Sequence, residues 1–555
     1  MATHDIAVRP SALTLIWGQF RYGTRSFVRT PIAAFFTLVF PTTFLVVISA
    51  IAGNAVLDDR SGIRLAQFLT PVFAVFGICM ASFVSLALGV AYGRQAGVLK
   101  RLRATPLPAW MHIAGRLATA MFVSLVALLL IVLIGVVFYG VQIVWTTLPA
   151  VLFTVVVGVF CFAALGLAAV SLAPTPGATQ ALTNGGLILL AFISDIFIVE
   201  LPEWLDQVGW VFPLKHFVNA VADGFNPYLT GTGLYWDHLA VMAAWGVAGV
   251  VVALRFFTWE PRSGRQRRRD AAPQASAEAA DTAGTQPRVA ALTAATRGDS
   301  PGRWALAGQQ VRYSMLTLLR DPMSVFFAIV FPVILLIFFS AIYGSEATWG
   351  GLPLPQYLAA AFSVYGVAVM SYVNLSAGVV DDRAKGVLKR LRGTPLPPSA
   401  YIVGRVGAAV LLGLATVALI FGIGAVFFGV RVGFVALVVG VLVFLAIIAT
   451  MAALGMLIST LVDSPQAAIG IALATLLPLS MISDIFVNAP ELPSALSAIA
   501  WTFPLRHMAW LAAQTTSGAG LGGEWLMHLG AVAAWGLVAG LLAWRLFRWE
   551  PLRRS

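Results

Sequence analysis

Twelve apolar stretches, each close to the roughly 20 residues that a helix needs to cross a bilayer, run along this chain of 555 residues, and they come in two matching sets. The first set lies near 31–53, 67–91, 117–139, 148–172, 179–199 and 236–258. The second lies near 322–343, 356–380, 406–429, 432–459, 466–487 and 527–547. Between the sets, short motifs recur at a nearly constant offset. GVLKRLRATPLP at 97–108 returns as GVLKRLRGTPLP at 386–397, ISDIF at 193–197 returns at 482–486, FPLKH at 212–216 becomes FPLRH at 503–507, and WEP at 259–261 returns at 549–551. A long internal period of this kind marks a duplicated structural unit. Each unit has an even number of spans, so both copies enter and leave on the same side. The expected fold is therefore all-α and integral to the membrane: twelve transmembrane helices as two parallel six-helix repeats, related by a pseudo-two-fold axis along the membrane normal.

Composition leaves little room for a soluble fold. The chain is 59% hydrophobic and 10% charged, against about 25% charged in soluble domains, and its mean hydropathy is +0.89. The net charge of +12 does not point to nucleic acid, because the basic residues sit at the ends of apolar runs, where they set topology. With the N-terminus inside, only Arg60, Arg64, Lys215, Arg431 and Arg506 fall outside, leaving the other 30 of 35 basic residues in the cytoplasm. Both termini are thus expected there. No cleavable leader is read in the first 30 residues. Cys79 and Cys161 both fall within apolar runs and read as small buried hydrophobes rather than as a disulfide or a metal site.

These features divide the chain into five parts. Residues 1–30 form a cytoplasmic interfacial helix, with Leu13, Ile16, Trp17 and Phe20 apolar and Arg21, Arg25 and Arg29 four apart. Residues 31–260 form the first six-span repeat. Residues 261–303, rich in Arg, Ala, Thr, Gln and Pro and opening on Arg265 and Arg267 to Arg269, read as a disordered cytoplasmic linker. Residues 304–321 form a second interfacial helix around Trp304, Val311, Met315 and Leu318, with Arg312 and Arg320. Residues 322–555 form the second repeat.

The loop between spans two and three carries the strongest functional signal. Gly97 or Gly386 breaks the apolar run. Lys100, Arg101 and Arg103, or Lys389, Arg390 and Arg392, follow. Thr105, Pro106 and Pro108, or Thr394, Pro395 and Pro397, close the short helix before the next span. Topology alone accounts for the charge. It does not account for the matched threonine, leucine and prolines, which point to a docking surface.

This loop resembles the GxLKRLxxTPLP signature of type-2 ABC exporter permeases, the class that exports drugs, polysaccharides and lipids. The segment LPEWLDQVGWVFPLKH at 201–216 is similar to that family's outer insertion before the last span. The fused two-repeat form resembles the tetronasin-type antibiotic permeases of actinobacteria. The resemblance implies that Gly97 to Pro108 and Gly386 to Pro397 are coupling helices seated on an ATPase. One departure stands out: the acids usual before the glycine are present as Asp381 and Asp382, but the first copy has Tyr92, Gly93, Arg94 and Gln95. No G-x-x-x-x-G-K-[ST] phosphate cradle occurs in the chain. The expected partner is therefore a separate ABC ATPase, in two copies, which would carry the ATP and Mg; the chain itself would hold no cofactor or metal and perform no chemistry. Export in a bacterial plasma membrane is part of what the resemblance implies.

The expected cargo is hydrophobic or amphiphilic: an antibiotic, drug or lipid. In span two, Phe73, Phe76 and Phe83 match Phe362, Tyr365 and Tyr372, and Ser85 matches Asn374. Such a stripe is ordinarily helix packing; the sharper reading is a substrate path. Asp195 and Asp484 end the fifth spans, and His216 and His507 lie in the outer segments. They read as structural caps, with an outer gate as the alternative. Two other classes make different demands. An ion-coupled secondary multidrug transporter also has twelve spans in two parallel halves, but buries acids at mid-membrane. A receptor or assembly platform predicts no substrate-stimulated ATP hydrolysis.

Overall fold

In a computed structural model of the chain, the residues described are 11–51, 55–58, 63–105, 107–197, 201–228, 231–258, 303–344, 347–349, 351–394, 396, 398–486, 492–518 and 522–549. The linker expected at 261–303 lies almost wholly outside them, as do Arg60 and Arg265. Among the described residues ten helices are long and apolar enough to cross a membrane: Leu65–Gln95, Trp110–Tyr139, Leu148–Leu172 and Trp236–Phe256 in the first copy, and Pro322–Tyr343, Leu354–Ala384, Ser399–Phe428, Phe434–Leu461, Pro465–Ile482 and Gly523–Leu546 in the second. The chain is thus a multi-pass helical membrane protein. The remaining two expected spans are helical too but fall outside those ten. One runs through Pro31–Ala34, Phe35–Val39 and Phe40–Ile51, and the other is the 17-residue Pro176–Phe192.

Three findings depart from the sequence expectation. Two short antiparallel strand pairs, Val56–Asp58 with Ile63–Arg64 and Thr348–Trp349 with Leu352–Pro353, interrupt the all-α architecture between spans one and two. Span three starts near residue 110, not 117, because His112 and Arg116 are carried inside the helix rather than ending it. Its 30 residues reach about 45 Å at 1.5 Å per residue, well beyond the hydrocarbon core.

The third departure is that spans one and two contain π-helical turns in both copies, at Phe35–Val39, Met80–Ser85, Phe326–Val330 and Val369–Asn374. In span one the cause is proline. Pro41 and Pro332 have no N–H to give the carbonyls four residues back, Thr37 and Ala328, so the helix widens there. Each freed carbonyl then faces a glycine of span two. A Cβ on Gly77 would lie 3.1 Å from the Thr37 oxygen, and one on Gly366 2.8 Å from that of Ala328. Span two, without a proline at its π turns, also sets carbonyls close against glycines of span four: a Cβ on Gly166 would meet the Phe83 oxygen at 2.7 Å and one on Gly455 the Ser371 oxygen at 2.7 Å.

The halves meet through spans one and five, reciprocally: Pro31–Ala34 packs on Pro465–Ile482, and Pro322–Val325 on Pro176–Phe192. Phe192 of the first copy touches Phe338 and Phe339 of the second, with ring centroids 5.1 and 6.2 Å apart. The two helices expected to be interfacial, Ala12–Val28 and Arg303–Leu319, lie against span three of their own copy. Phe20 sits edge-on to Phe122, 5.6 Å away, while Trp17 and Trp304 project outward.

Candidate functional site

Each loop between spans two and three folds into a single helical turn and a half, Val98–Arg103 and Val387–Arg392. The chain can turn this sharply because Gly97 and Gly386 adopt left-handed backbone, φ 69° and 70°, which costs other residues about 1–2 kcal/mol. One face of each turn is anchored: Leu99 is 1% exposed and Leu388 is fully buried. The other face carries Lys100 and Arg101, or Lys389, Arg390 and Arg392, exposed. Thr105 and Thr394 close the turn alike, each hydroxyl donating at 2.6 Å to the carbonyl of Leu102 or Leu391. Pro108 then caps span three. Pro106, Pro395, Pro397 and the Arg103 side chain lie outside the described residues. Gly97→Ala and Gly386→Ala together are expected to loosen both turns, seen as at least about fivefold faster amide exchange over 98–103 and 387–392. Unchanged exchange there would count against the strained-turn account.

The anchoring beneath these turns went unread in the sequence. Arg94, buried, donates to the Val170 and Ala173 carbonyls at 3.1 and 2.7 Å. Its repeat mate Arg383 does the same to Ser459 and Val462. Both arginines therefore cap the C-terminal end of span four, where cations are favoured. The signal available was the arginine's recurrence at an offset of 289, hidden beside the more visible loss of the acids. Those acids now have separate places. Asp381 pairs with Lys385 at 2.7 Å near the surface, whereas Asp382 is buried against Arg405 and accepts from the Tyr401 hydroxyl at 2.8 Å.

The opposite end of each copy holds a largely buried polar cluster. Asp195 and Asp484, just past the fifth helices, are the two non-glycine residues with positive φ among those described, 60° and 58°. Lys215, 1% exposed, reaches Asp195 at 3.1 Å and also pairs with Asp206. Arg506 meets Asp484 at 3.0 Å and lies 4.5 Å above the Trp501 ring. Beside them, His216 Nδ1 and His238 Nδ1 are 2.7 Å apart, as are those of His507 and His528. In each pair the first histidine's Nε2 donates to a tryptophan carbonyl, Trp210 at 2.8 Å or Trp501 at 2.9 Å. With that Nε2 as donor, the same ring's Nδ1 accepts, so the bridging proton is donated by His238 and His528. His238 and His528 were missed although four of the six histidines form this repeated set. Near this cluster, burial pushes the Asp223 carboxyl up, and burial followed by the charge of Asp223 pushes up the Tyr235 phenol.

The aromatic stripe lies between these two ends. Phe73, Phe76, Phe362 and Tyr365 are essentially inaccessible. They pack through Phe197 and Phe486, with Phe76 5.6 Å from Phe197 and Tyr365 5.0 Å from Phe486. Phe83 contacts Phe162 at 6.2 Å, and Tyr372 bonds Thr475 at 2.8 Å. Ser85 lies 3.3 Å from the Thr37 hydroxyl and lines a cavity of about 470 Å³. At the matching position, the Asn374 amide nitrogen is buried with no hydrogen-bond partner among the described residues. Cys79 and Cys161 are buried and unlinked. Among the described residues no three His, Cys, Asp or Glu side chains converge as metal ligands.

Two copies of a helical membrane unit, each with a basic helical turn at one end and a largely buried charge cluster at the other, define a polytopic membrane protein built around an internal duplication. The model of the ABC-2 type transporter family matches residues 12–226 and again 309–513. The chain belongs to that family, once in each half. It is 24% identical over 200 residues to the probable multidrug ABC transporter permease YbhR of Escherichia coli K12, covering 34% of this chain and 52% of that protein. The same protein of Escherichia coli O157:H7 matches equally. The chain thus spans about half the length of the curated relatives it matches.

Proposed function

We propose that the chain is the permease of an ATP-driven exporter, worked by a separate ABC ATPase and moving an amphiphilic drug, antibiotic or lipid. The observation that carries this reading is the paired basic turn. Two identical helical elements, each anchored on one face and basic on the other, stand at the same end of the two copies. Membership of the ABC-2 family and the multidrug permease among its relatives support it. On this reading the twelve helices form two parallel six-helix halves about a pseudo-two-fold axis, with the termini and both turns in the cytoplasm of a bacterial plasma membrane. Two ATPase copies, holding ATP and Mg, dock at 97–108 and 386–397. The chain contributes no chemistry; ATP binding biases the bundle between states of different access. Asp195, His216, Asp484 and His507, with their partners, close the outer end, and the aromatic cluster of Phe73, Phe76, Phe362 and Tyr365 seals the middle until the halves move.

An ion-coupled transporter has less support. The one buried carboxylate within the ten described spans, Asp382, is locked to Arg405 and Tyr401 at the loop end rather than placed at mid-membrane. Reconstitution with the partner ATPase tests the proposal. An amphiphilic cargo is expected to raise ATP hydrolysis severalfold in proteoliposomes; hydrolysis indifferent to every amphiphile tried, and to the presence of this chain, would sink it.

A further inference from the structure

The two copies differ most where span two meets the basic turn. In the second copy Arg405 is 5% exposed and held by Asp382, which Tyr401 also serves. The matching places in the first copy hold Arg116, Gly93 and His112. Arg116 donates to the Gly89 carbonyl at a long 3.4 Å, and among the described residues no carboxylate pairs with it. His112 turns away to Gln19, 2.9 Å off.

Where the aspartate is missing there is space. Arg116 lines the cavity of about 470 Å³ noted above, a size typical of small-molecule sites. Among the described residues it is the one charged side chain in the wall; Ser85, Gln180 and Asn184 add neutral polar groups, and Phe36 and Val84 are among the apolar ones. The wall draws on both halves, since Gln466 closes it, and it reaches Val98 at the start of the basic turn. A guanidinium beside an apolar cavity without a counter-ion is unfavourable unless an anion completes it. Its fork matches a carboxylate or phosphate.

We propose that this cavity binds the anionic head, carboxylate or phosphate, of one amphiphile, with Arg116 as its counter-ion and the apolar wall around the start of the tail. The inference deepens the amphiphile reading above and rests on it. It makes the first half the acid-recognising one, because the second half supplies its own aspartate. Occupancy is placed beside Val98, where it can bear on the turn that meets the ATPase.

The test uses the full chain in phosphatidylcholine nanodiscs, titrated calorimetrically with dodecyl phosphate and with uncharged dodecyl maltoside. Dodecyl phosphate is expected to bind one per chain, at least about tenfold more tightly than the maltoside. Arg116→Gln is expected to weaken it roughly 10- to 100-fold, the range of a charge-assisted hydrogen-bonded contact. Gly93→Asp gives a second handle that adds a group rather than removing one. A Cβ on Gly93 would lie 3.9 Å from Arg116 Nη2 with nothing else within 4 Å, so the new carboxylate recreates the second copy's pair and should expel the ligand to the same extent. Adding phosphatidylglycerol to the discs separates the sources. Competition in the wild type but not in Gly93→Asp identifies a lipid headgroup; absence of competition identifies a free acid, and either supports the site. Equal binding by wild type and both variants, or equal binding of dodecyl phosphate and maltoside, overturns the anion assignment and leaves the permease reading standing. No binding of either amphiphile by any variant overturns the amphiphile reading as well.

Discussion

Lys215→Met is expected to destabilise the first half by roughly 3–5 kcal/mol, the usual cost of removing one member of a buried ion pair. The ammonium is 1% exposed, 3.1 Å from Asp195 and paired also with Asp206, and it lies 5.2 Å over Trp210. Methionine fills the same volume, so the loss is electrostatic rather than a cavity. Among the described residues the Asp195 carboxylate, 14% exposed, would keep only the Asn219 amide at 3.1 Å. Asp206, 40% exposed, is screened by solvent and adds little. The cost falls on a residue already held at φ 60°, so the turn after the fifth helix should open first. In detergent the unfolding midpoint should drop by on the order of 10 °C, taking each half as one cooperative unit. Lys215→Arg is the control, since the second copy carries Arg506 in the same place, and it should keep most of the stability. A methionine variant as stable as wild type would contradict a stabilising role for the charge cluster.

The second large effect concerns the basic turns. Reversing Lys100, Arg101, Lys389 and Arg390 to glutamate together should lower ATPase affinity by at least about 100-fold, since like charges facing each other across an interface cost several kcal/mol. Insertion into the membrane should be unchanged, because these side chains are exposed while Leu99 and Leu388 hold the turns in place. Reversal in one turn alone should leave one docked ATPase. The two single-turn variants need not match. Asp381 and Lys385 form an ion pair beside the second turn, where the first copy has Tyr92 and Ala96. Binding measured by pull-down against a titrated ATPase checks this; full affinity with all four charges reversed would mean that docking happens elsewhere.

Much of this architecture was legible because apolar runs and repeated motifs are read directly from residue type. The basic turns were legible for the same reason: a glycine, a cationic run and a closing proline act locally. What stayed hidden depends on partners far apart in sequence. Nothing near Lys215 announces Asp195, 20 residues away, and nothing near Arg94 announces the carbonyls of Val170 and Ala173. Lys215 and Arg506 read as stray exceptions to a charge rule; they are counter-ions of the two left-handed aspartates. Prolines 41 and 332 were visible, but the π turns they open became intelligible only with Gly77 and Gly366 facing the freed carbonyls. The departure at Tyr92 and Gly93 was visible only as the loss of the acids found in the second copy. It is also the place where Arg116 is left beside a cavity.

The central claim is that this chain is a passive path driven by another polypeptide, and affinity purification of the full chain from its native membrane tests it most directly. A soluble ATPase is expected in stoichiometric yield, two per chain, and lost when the four turn charges are reversed. A chain that purifies without any ATPase, yet transports in proteoliposomes until the proton gradient is collapsed, would contradict it.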